Sequence, residues 1–146
     1  MQYTLSIIKP DAMKRNLQAA ILKMIEDAGL KSLVQKTIHL TAEQAQAFYA
    51  VHKDRPFYKQ LWESMIECPV SVQVLYAEDA IKKYRDLMGA TNPSDASEGT
   101  IRKEHGLSIG ENSVHGSDSE KNAEYEIAQM FSATELIEAA LKIKLQ

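Results

Sequence analysis

The chain has 146 residues and a mass of 16.4 kDa, enough for one compact domain with its own core, residues 1–146. Apolar residues make up 45% and charged residues 25%, which excludes a disordered chain, and no apolar run reaches the roughly 18 residues of a membrane span. A net charge of −3 disfavours general nucleic-acid binding, and the single cysteine, Cys68, excludes an internal disulfide and suits a reducing, cytoplasmic compartment.

The first residues run straight into an alternating pattern, with no basic segment ahead of an apolar stretch, so no secretory leader is expected. Tyr3, Leu5 and Ile7 alternate with Thr4 and Ser6, which predicts a strand ending near Ile8 and broken by Lys9-Pro10-Asp11. Leu17, Ala20, Ile21, Met24, Ile25 and Ala28 recur at helical spacing, and Gly29 stops that helix. Leu33, Val34, Ile38 and Leu40 mark a second strand within residues 30–40. Thr41-Ala-Glu-Gln is a capping box for a helix reaching about Val51, and Lys53-Asp54-Arg55-Pro56 is a turn. Tyr58, Leu61, Trp62 and Met65 suggest a short helix. Val70, Val72, Val74 and Tyr76 give a third strand, and Ala80 to Met88 a helix closed by Gly89. Residues 90–112 show no clean period and read as a long loop, of the kind that is functional or disordered. A short fourth strand through Val114-His115 follows. Asp118 or Ser119 caps the next helix, and Ser132-Ala-Thr-Glu135 is a second capping box before the last one. Without the short inserted helices the order is βαββαβ, an α+β, ferredoxin-like arrangement with helices on one face of an antiparallel sheet.

The chemistry concentrates in Asn112-Ser113-Val114-His115-Gly116-Ser117-Asp118-Ser119. An imidazole at a strand end, before a glycine and ahead of a helix start, is poised as base, nucleophile or ligand. The same stretch also fits a capped turn with a hydrogen-bonded histidine. Lys9 follows the first strand, Arg85 sits on a helix patterned for burial, and Arg102 shares the long loop with Thr91. Together they would suit a polyphosphate, and singly each fits a solvated surface. Spacing does not show whether they converge. There is no Gly-x-x-x-x-Gly-Lys-Ser/Thr phosphate cradle, and His39, His52 and His105 lack ligand spacing and read as structural or surface residues.

Five stretches in order carry a resemblance: Ile7-Ile8-Lys9-Pro10-Asp11, Lys53-Asp54-Arg55-Pro56-Phe57, Thr91-Asn92-Pro93, Gly99-Thr100-Ile101-Arg102 and Asn112 to Ser119. On these the chain resembles the nucleoside diphosphate kinase family from end to end. The resemblance implies that a nucleoside triphosphate gives its γ-phosphoryl group to a histidine, which passes it to a nucleoside diphosphate in a ping-pong cycle. His115 matches that histidine, phosphorylated at its pros nitrogen. Lys9, Arg85, Thr91 and Arg102 match phosphate contacts, and Lys9 with Asn112 matches contacts to the ribose. Phe57 matches the ring under the base, with Leu61 beside it, and Tyr49 lines the site. Ser117 and Glu126 match a pair that steadies the imidazole. Asp118 matches a residue near the magnesium ion, reached through water, which arrives with the nucleotide. The family forms tetramers or hexamers, so a homo-oligomer without membrane or specific nucleic-acid partners is expected. Ala12 and Asn16 stand where the family often has glycine, Glu111 where it often has arginine, and Gln146 ends the chain where many relatives have a longer tail. These departures bear on assembly more than on chemistry. A phosphohistidine relay protein and an RNA-binding module are the alternative readings; the first needs no Phe57, Arg85 or Asn112, and the second needs aromatic strands where Val70, Val72 and Val74 stand.

Overall fold

A computed structural model describes residues 1–146. Strands β1 (Gln2–Ile8), β2 (Lys31–Ile38), β3 (Val70–Ala77) and β4 (Val114–Gly116) form one antiparallel sheet in the order β2-β3-β1-β4. The first and third strands are central, which is the ferredoxin-like order expected. The helices are α1 (Pro10–Lys14), α2 (Gln18–Asp27), α3 (Ala42–Phe48), α4 (Tyr58–Met65), α5 (Ala80–Met88), α6 (Ile101–His105), α7 (Glu120–Met130) and α8 (Ala133–Leu145).

Strand alternation splits the core in two. Leu5, Ile7, Val70, Val72 and Val74 pack with Phe48, Met65, Met130 and Phe131 from α3, α4 and the end of α7. Ile8 and Leu75 pack on the other side with Ile21, Ile25, Ala80, Tyr84 and Met88 from α2 and α5. The crossover helices α2 and α5 thus share one face, as a ferredoxin-like fold requires. Helices on one face describes only these two, because α3, α4, α7 and α8 cover the second face. Thr4, Ser6, Ser71 and Gln73, the polar positions of the alternation, face the α2 and α5 side with Ile8 and Leu75 and are buried rather than wet, so both faces of the sheet are covered. Gln35, Ser71, Gln73, Ser6 and Tyr84 satisfy one another in a chain of hydrogen bonds running from β2 to α5.

The local differences from the sequence reading have simple causes. Pro10 does not only break β1; it occupies the first position of α1, where its fixed φ suits a helix and its missing N–H costs nothing. The helix after Thr41 ends at Phe48 and continues as a 3-10 turn over Ala50–His52. The stretch read as a loop holds a 3-10 turn at Pro93–Asp95 and the one-turn helix α6, too short to show a period. Arg102 therefore sits on a helix, whose cap is Thr100. Asn16 takes φ of 58°, a left-handed conformation that asparagine tolerates better than most non-glycine residues.

Candidate active site

His115 lies opposite Ile7 in the β1–β4 ladder, so its ring points to the same side as the Leu5–Ile7 cluster. Phe48 meets it edge-on, with ring centres 5.1 Å apart. Nε2 lies 2.9 Å from Glu126 Oε1. Ser117 Oγ accepts from the Leu5 N–H at 3.2 Å, so its single proton is free to donate to Glu126 Oε1 at 2.8 Å. A carboxylate only accepts. The arrangement therefore puts the imidazole proton on Nε2 and leaves the Nδ1 lone pair available. Gly116 is required beside it, because a Cβ there would stand 2.7 Å from both Met88 Cε and the Tyr84 ring.

A cleft of about 570 Å³ opens over this imidazole, lined by Tyr49, Arg85, Thr91, Arg102, Asp118 and Glu126 among the residues expected at the site. Arg102 donates from Nη1 to the Gly89 carbonyl at 3.0 Å and from Nη2 to the Val114 carbonyl at 2.9 Å. Its Nε is buried without a partner, and burial draws its pKa below the ordinary guanidinium value. Arg85, by contrast, is exposed. Burial raises the Tyr49 phenol, with the Glu126 charge adding to the effect, so Tyr49 stays a neutral hydroxyl at pH 7.

Lys9 and Asn112 form a buried pair set back from the cleft wall. Lys9 Nζ donates to Asn112 Oδ1 at 3.0 Å and to the Gly110 carbonyl at 3.3 Å. Asn112 Nδ2 donates to the carbonyl of Thr91 at 3.0 Å, which ties the pair to the wall. Burial lowers the Lys9 pKa, and Asp11 partly opposes that shift. Phe57 and Leu61 do not line the cleft either. Phe57 is 48% exposed and tilts against His52, with ring centres 5.4 Å apart. Leu61 is half-buried against the core cluster.

Three lining residues with polar side chains escaped the sequence reading. His52, read as structural or surface, forms part of the cleft wall. Asn122 and Tyr125 line it from α7. Their signal was present: on a helix started by Asp118-Ser119, Asn122 stands three residues before Tyr125 and four before Glu126, so helical spacing puts Asn122 beside both. His39 stays structural, its Nε2 lying 2.7 Å from the Ile66 carbonyl.

No group of three or more His, Cys, Asp or Glu side chains is arranged to hold a metal ion. Of the two cleft carboxylates, Glu126 is engaged by His115 and Ser117, whereas Asp118 accepts only from Asn122. One carboxylate fits a hard cation that keeps waters and substrate phosphates as its other ligands. No helix is long and apolar enough to cross a membrane.

The family model described as nucleoside diphosphate kinase matches residues 2–136. A relative from Erythrobacter litoralis with that name is 60% identical over 92% of this chain and 96% of its own. One from Rhodovulum sulfidophilum is 62% identical over 94% of this chain and 98% of its own. Among solved structures, the Aquifex aeolicus nucleoside diphosphate kinase superposes with a TM-score of 0.90 at 39% identity, covering 92% of this chain and 97% of that one. A halophilic enzyme from Halobacterium salinarum in complex with CDP gives 0.88 at 38% identity, covering 92% and 90%.

Proposed function

The chain belongs to the nucleoside diphosphate kinase family, and from that premise we propose that His115 is the group that carries phosphate between nucleotides. The activity is a phosphotransfer from a nucleoside triphosphate to a nucleoside diphosphate. The observation that carries the assignment is the held imidazole: Glu126 fixes Nε2 at 2.9 Å and leaves Nδ1 free under a cleft walled by Arg85, Thr91 and Arg102.

In the first half-reaction Nδ1 of His115 attacks the γ-phosphorus. A N–P bond forms as the bridging P–O bond breaks, and the diphosphate leaves with that electron pair. In the second half a terminal oxygen of another diphosphate attacks the same phosphorus and releases neutral imidazole. The transition state is loose, so charge and positioning supply most of the acceleration. Arg85 and Arg102 neutralise the transferring group, Thr91 donates to a phosphate oxygen, and Tyr49 supplies a neutral hydroxyl at the wall. Lys9 and Asn112 hold the ribose end and the phosphates beside it. Phe57 stacks under the base with Leu61 as its apolar neighbour. Ser117 and Glu126 keep the ring in one tautomer and orientation. A divalent cation, which we take to be magnesium, arrives with the nucleotide and screens its phosphates, and Asp118 is the carboxylate that would hold it through water.

The reading extends to the whole chain as one domain, since one sheet serves both halves of the core. It places the protein in the cytoplasm, where an unpaired Cys68 stays reduced. It also extends to a homo-oligomer, a tetramer or hexamer, because Leu107, Ile109, Ile137 and Leu141 are exposed apolar side chains that subunit contacts would bury. Light scattering at micromolar concentration should exceed the 16.4 kDa of one chain, and a monomer would overturn the assembly.

The decisive test of the chemistry is labelling. Incubated with a γ-labelled triphosphate, the protein alone should become phosphorylated, lose the label in acid and keep it in base. A different, unlabelled diphosphate should then discharge it. His115→Ala should abolish both steps; normal labelling of that variant would place the nucleophile elsewhere.

A further inference from the structure

Asp11, the third residue of Lys9-Pro10-Asp11, has no place in the mechanism above and does not line the cleft. Its side chain is nonetheless only 7% exposed. Its Oδ2 accepts from the backbone N–H of Ser113 at 3.1 Å. Ser113 is unusual in its own right. It takes φ of 76° although it is not glycine, and the Val114 N–H donates to the Asn112 carbonyl at 2.9 Å across it. That is a three-residue turn of the rare, strained hand. A serine with positive φ is held by its surroundings or not at all. Its own side chain does not help, because Ser113 Oγ is buried without a partner. The holding groups come from the turn after β1: the Lys9 N–H donates to the Ser113 carbonyl at 2.9 Å, and Asp11 takes the Ser113 N–H. Asn112 opens this turn and His115 directly follows it.

We propose that Asp11 is a positioning residue: its carboxylate clamps the strained turn at Ser113 and thereby sets Asn112 and His115 relative to each other. Arg15 backs the clamp. Its Nη2 lies 3.5 Å from Asp11 Oδ2 and donates to the His105 carbonyl at 2.6 Å, at the end of the helix that carries Arg102. The proposal rests on the assignment of His115 and Asn112 to the site.

The test uses the full chain and reads kcat, KM, phosphoenzyme formation and thermal midpoint for four variants. Asp11→Ala should lower kcat/KM at least tenfold in protein that remains folded. Asp11→Asn keeps an acceptor oxygen for the Ser113 N–H and should stay within about threefold of the parent. Ser113→Gly alone should be nearly silent, since it removes a hydroxyl without a partner and relaxes the backbone. Adding Ser113→Gly to Asp11→Ala should recover most of the lost activity, because glycine adopts this φ without a clamp. A purely structural Asp11 would lower the thermal midpoint and leave kcat per folded molecule unchanged, which overturns the proposal. A charge effect through Lys9 would make Asp11→Asn as slow as Asp11→Ala, with no rescue by glycine, which also overturns it. If Asp11→Ala does not fold, the double variant decides, and failing that Asp11→Asn: activity near the parent supports the clamp, and a tenfold loss ends it. A parent protein that forms no phosphohistidine would instead remove the assignment of His115, a result distinguishable from any of these.

Discussion

His115 Nε2 and Glu126 Oε1 stand 2.9 Å apart, and that same oxygen accepts from Ser117 Oγ at 2.8 Å. One carboxylate oxygen thus joins the end of β4 to the second turn of α7 and fixes which ring nitrogen faces the cleft. Removing the carboxylate frees the ring to rotate and to change tautomer. Glu126→Ala should lower kcat roughly tenfold to a hundredfold, as losing an orienting partner does elsewhere. Ser117→Ala should cost less. Because both act through one oxygen, the double variant should be no slower than Glu126→Ala alone. Multiplicative losses, measured as kcat for the three variants, would mean that the two residues act separately.

The two cations of the cleft differ in what else they hold, and this separates their variants. Arg102 supports the carbonyls of Gly89 and Val114, whereas Arg85 is exposed and has no hydrogen-bond or ion-pair role to lose. Arg102→Ala should remove roughly 2–4 kcal/mol of transition-state stabilisation and also lower the thermal midpoint. Arg85→Ala should reduce kcat/KM and leave the midpoint unchanged. Equal midpoints for both variants would contradict the structural share assigned to Arg102.

The parts of this molecule legible in the sequence are those written in a local code. The capping boxes at Thr41 and Ser132 form as read, each with its reciprocal side-chain and backbone bonds. The Val70–Tyr76 alternation is strand β3 in register with β1. What escaped depends on pairing across the fold. Ser6 and Gln73 look like wet positions of a half-exposed strand, and only the packing of α5, with Tyr84, over their face buries them. The one-turn helix α6 is shorter than any period that could reveal it. Convergence of Lys9, Thr91 and Asn112 is a fact of hydrogen bonds over 21 and 103 residues of separation, and no spacing encodes it. The motif resemblance named those residues, and the structure adds which of them face the cleft and which stand behind its wall.

Acid should act on the anchor between β2 and α8. Glu135 accepts from the Ser132 N–H at 2.8 Å and from Lys36 Nζ at 2.9 Å, and these bonds, the backbone one first, hold its pKa below the ordinary carboxylate value. A depressed folded pKa means that the unfolded chain binds the proton more readily. The contribution is therefore present above the unfolded value of 4.5 and is lost as pH falls through the lower folded value. Thermal midpoints of the parent should drop more steeply below pH 4.5 than those of Glu135→Gln, which can keep the cap without titrating. Parallel curves for the two proteins would show that this carboxylate contributes nothing to acid sensitivity.

Base choice follows from how little of Phe57 is used. Its ring is 48% exposed, touches His52 at a tilt of 56°, and offers an open face next to the cleft wall. A flat ring stacks on any base, since every base has a π-face, and such stacking is worth roughly 1–3 kcal/mol. Strong discrimination needs hydrogen bonds to a base edge from buried polar groups that go unsatisfied with the wrong base. The polar groups around Phe57 are solvent-facing, as Arg55 and Asp54 are exposed, and an exposed donor finds water when a base does not match. All four common diphosphates should therefore be accepted, with purines moderately better because they cover more ring. Phe57→Ala should raise KM for every nucleotide by a similar factor and preserve their ranking, and Phe57→Trp should be tolerated. The measurement is kcat/KM for the four acceptors with one donor, on the parent and both variants. A preference above about a thousandfold for a single base, or a ranking that Phe57→Ala reshuffles, would replace stacking with edge recognition as the basis of binding, because a lost stack cannot tell one base edge from another.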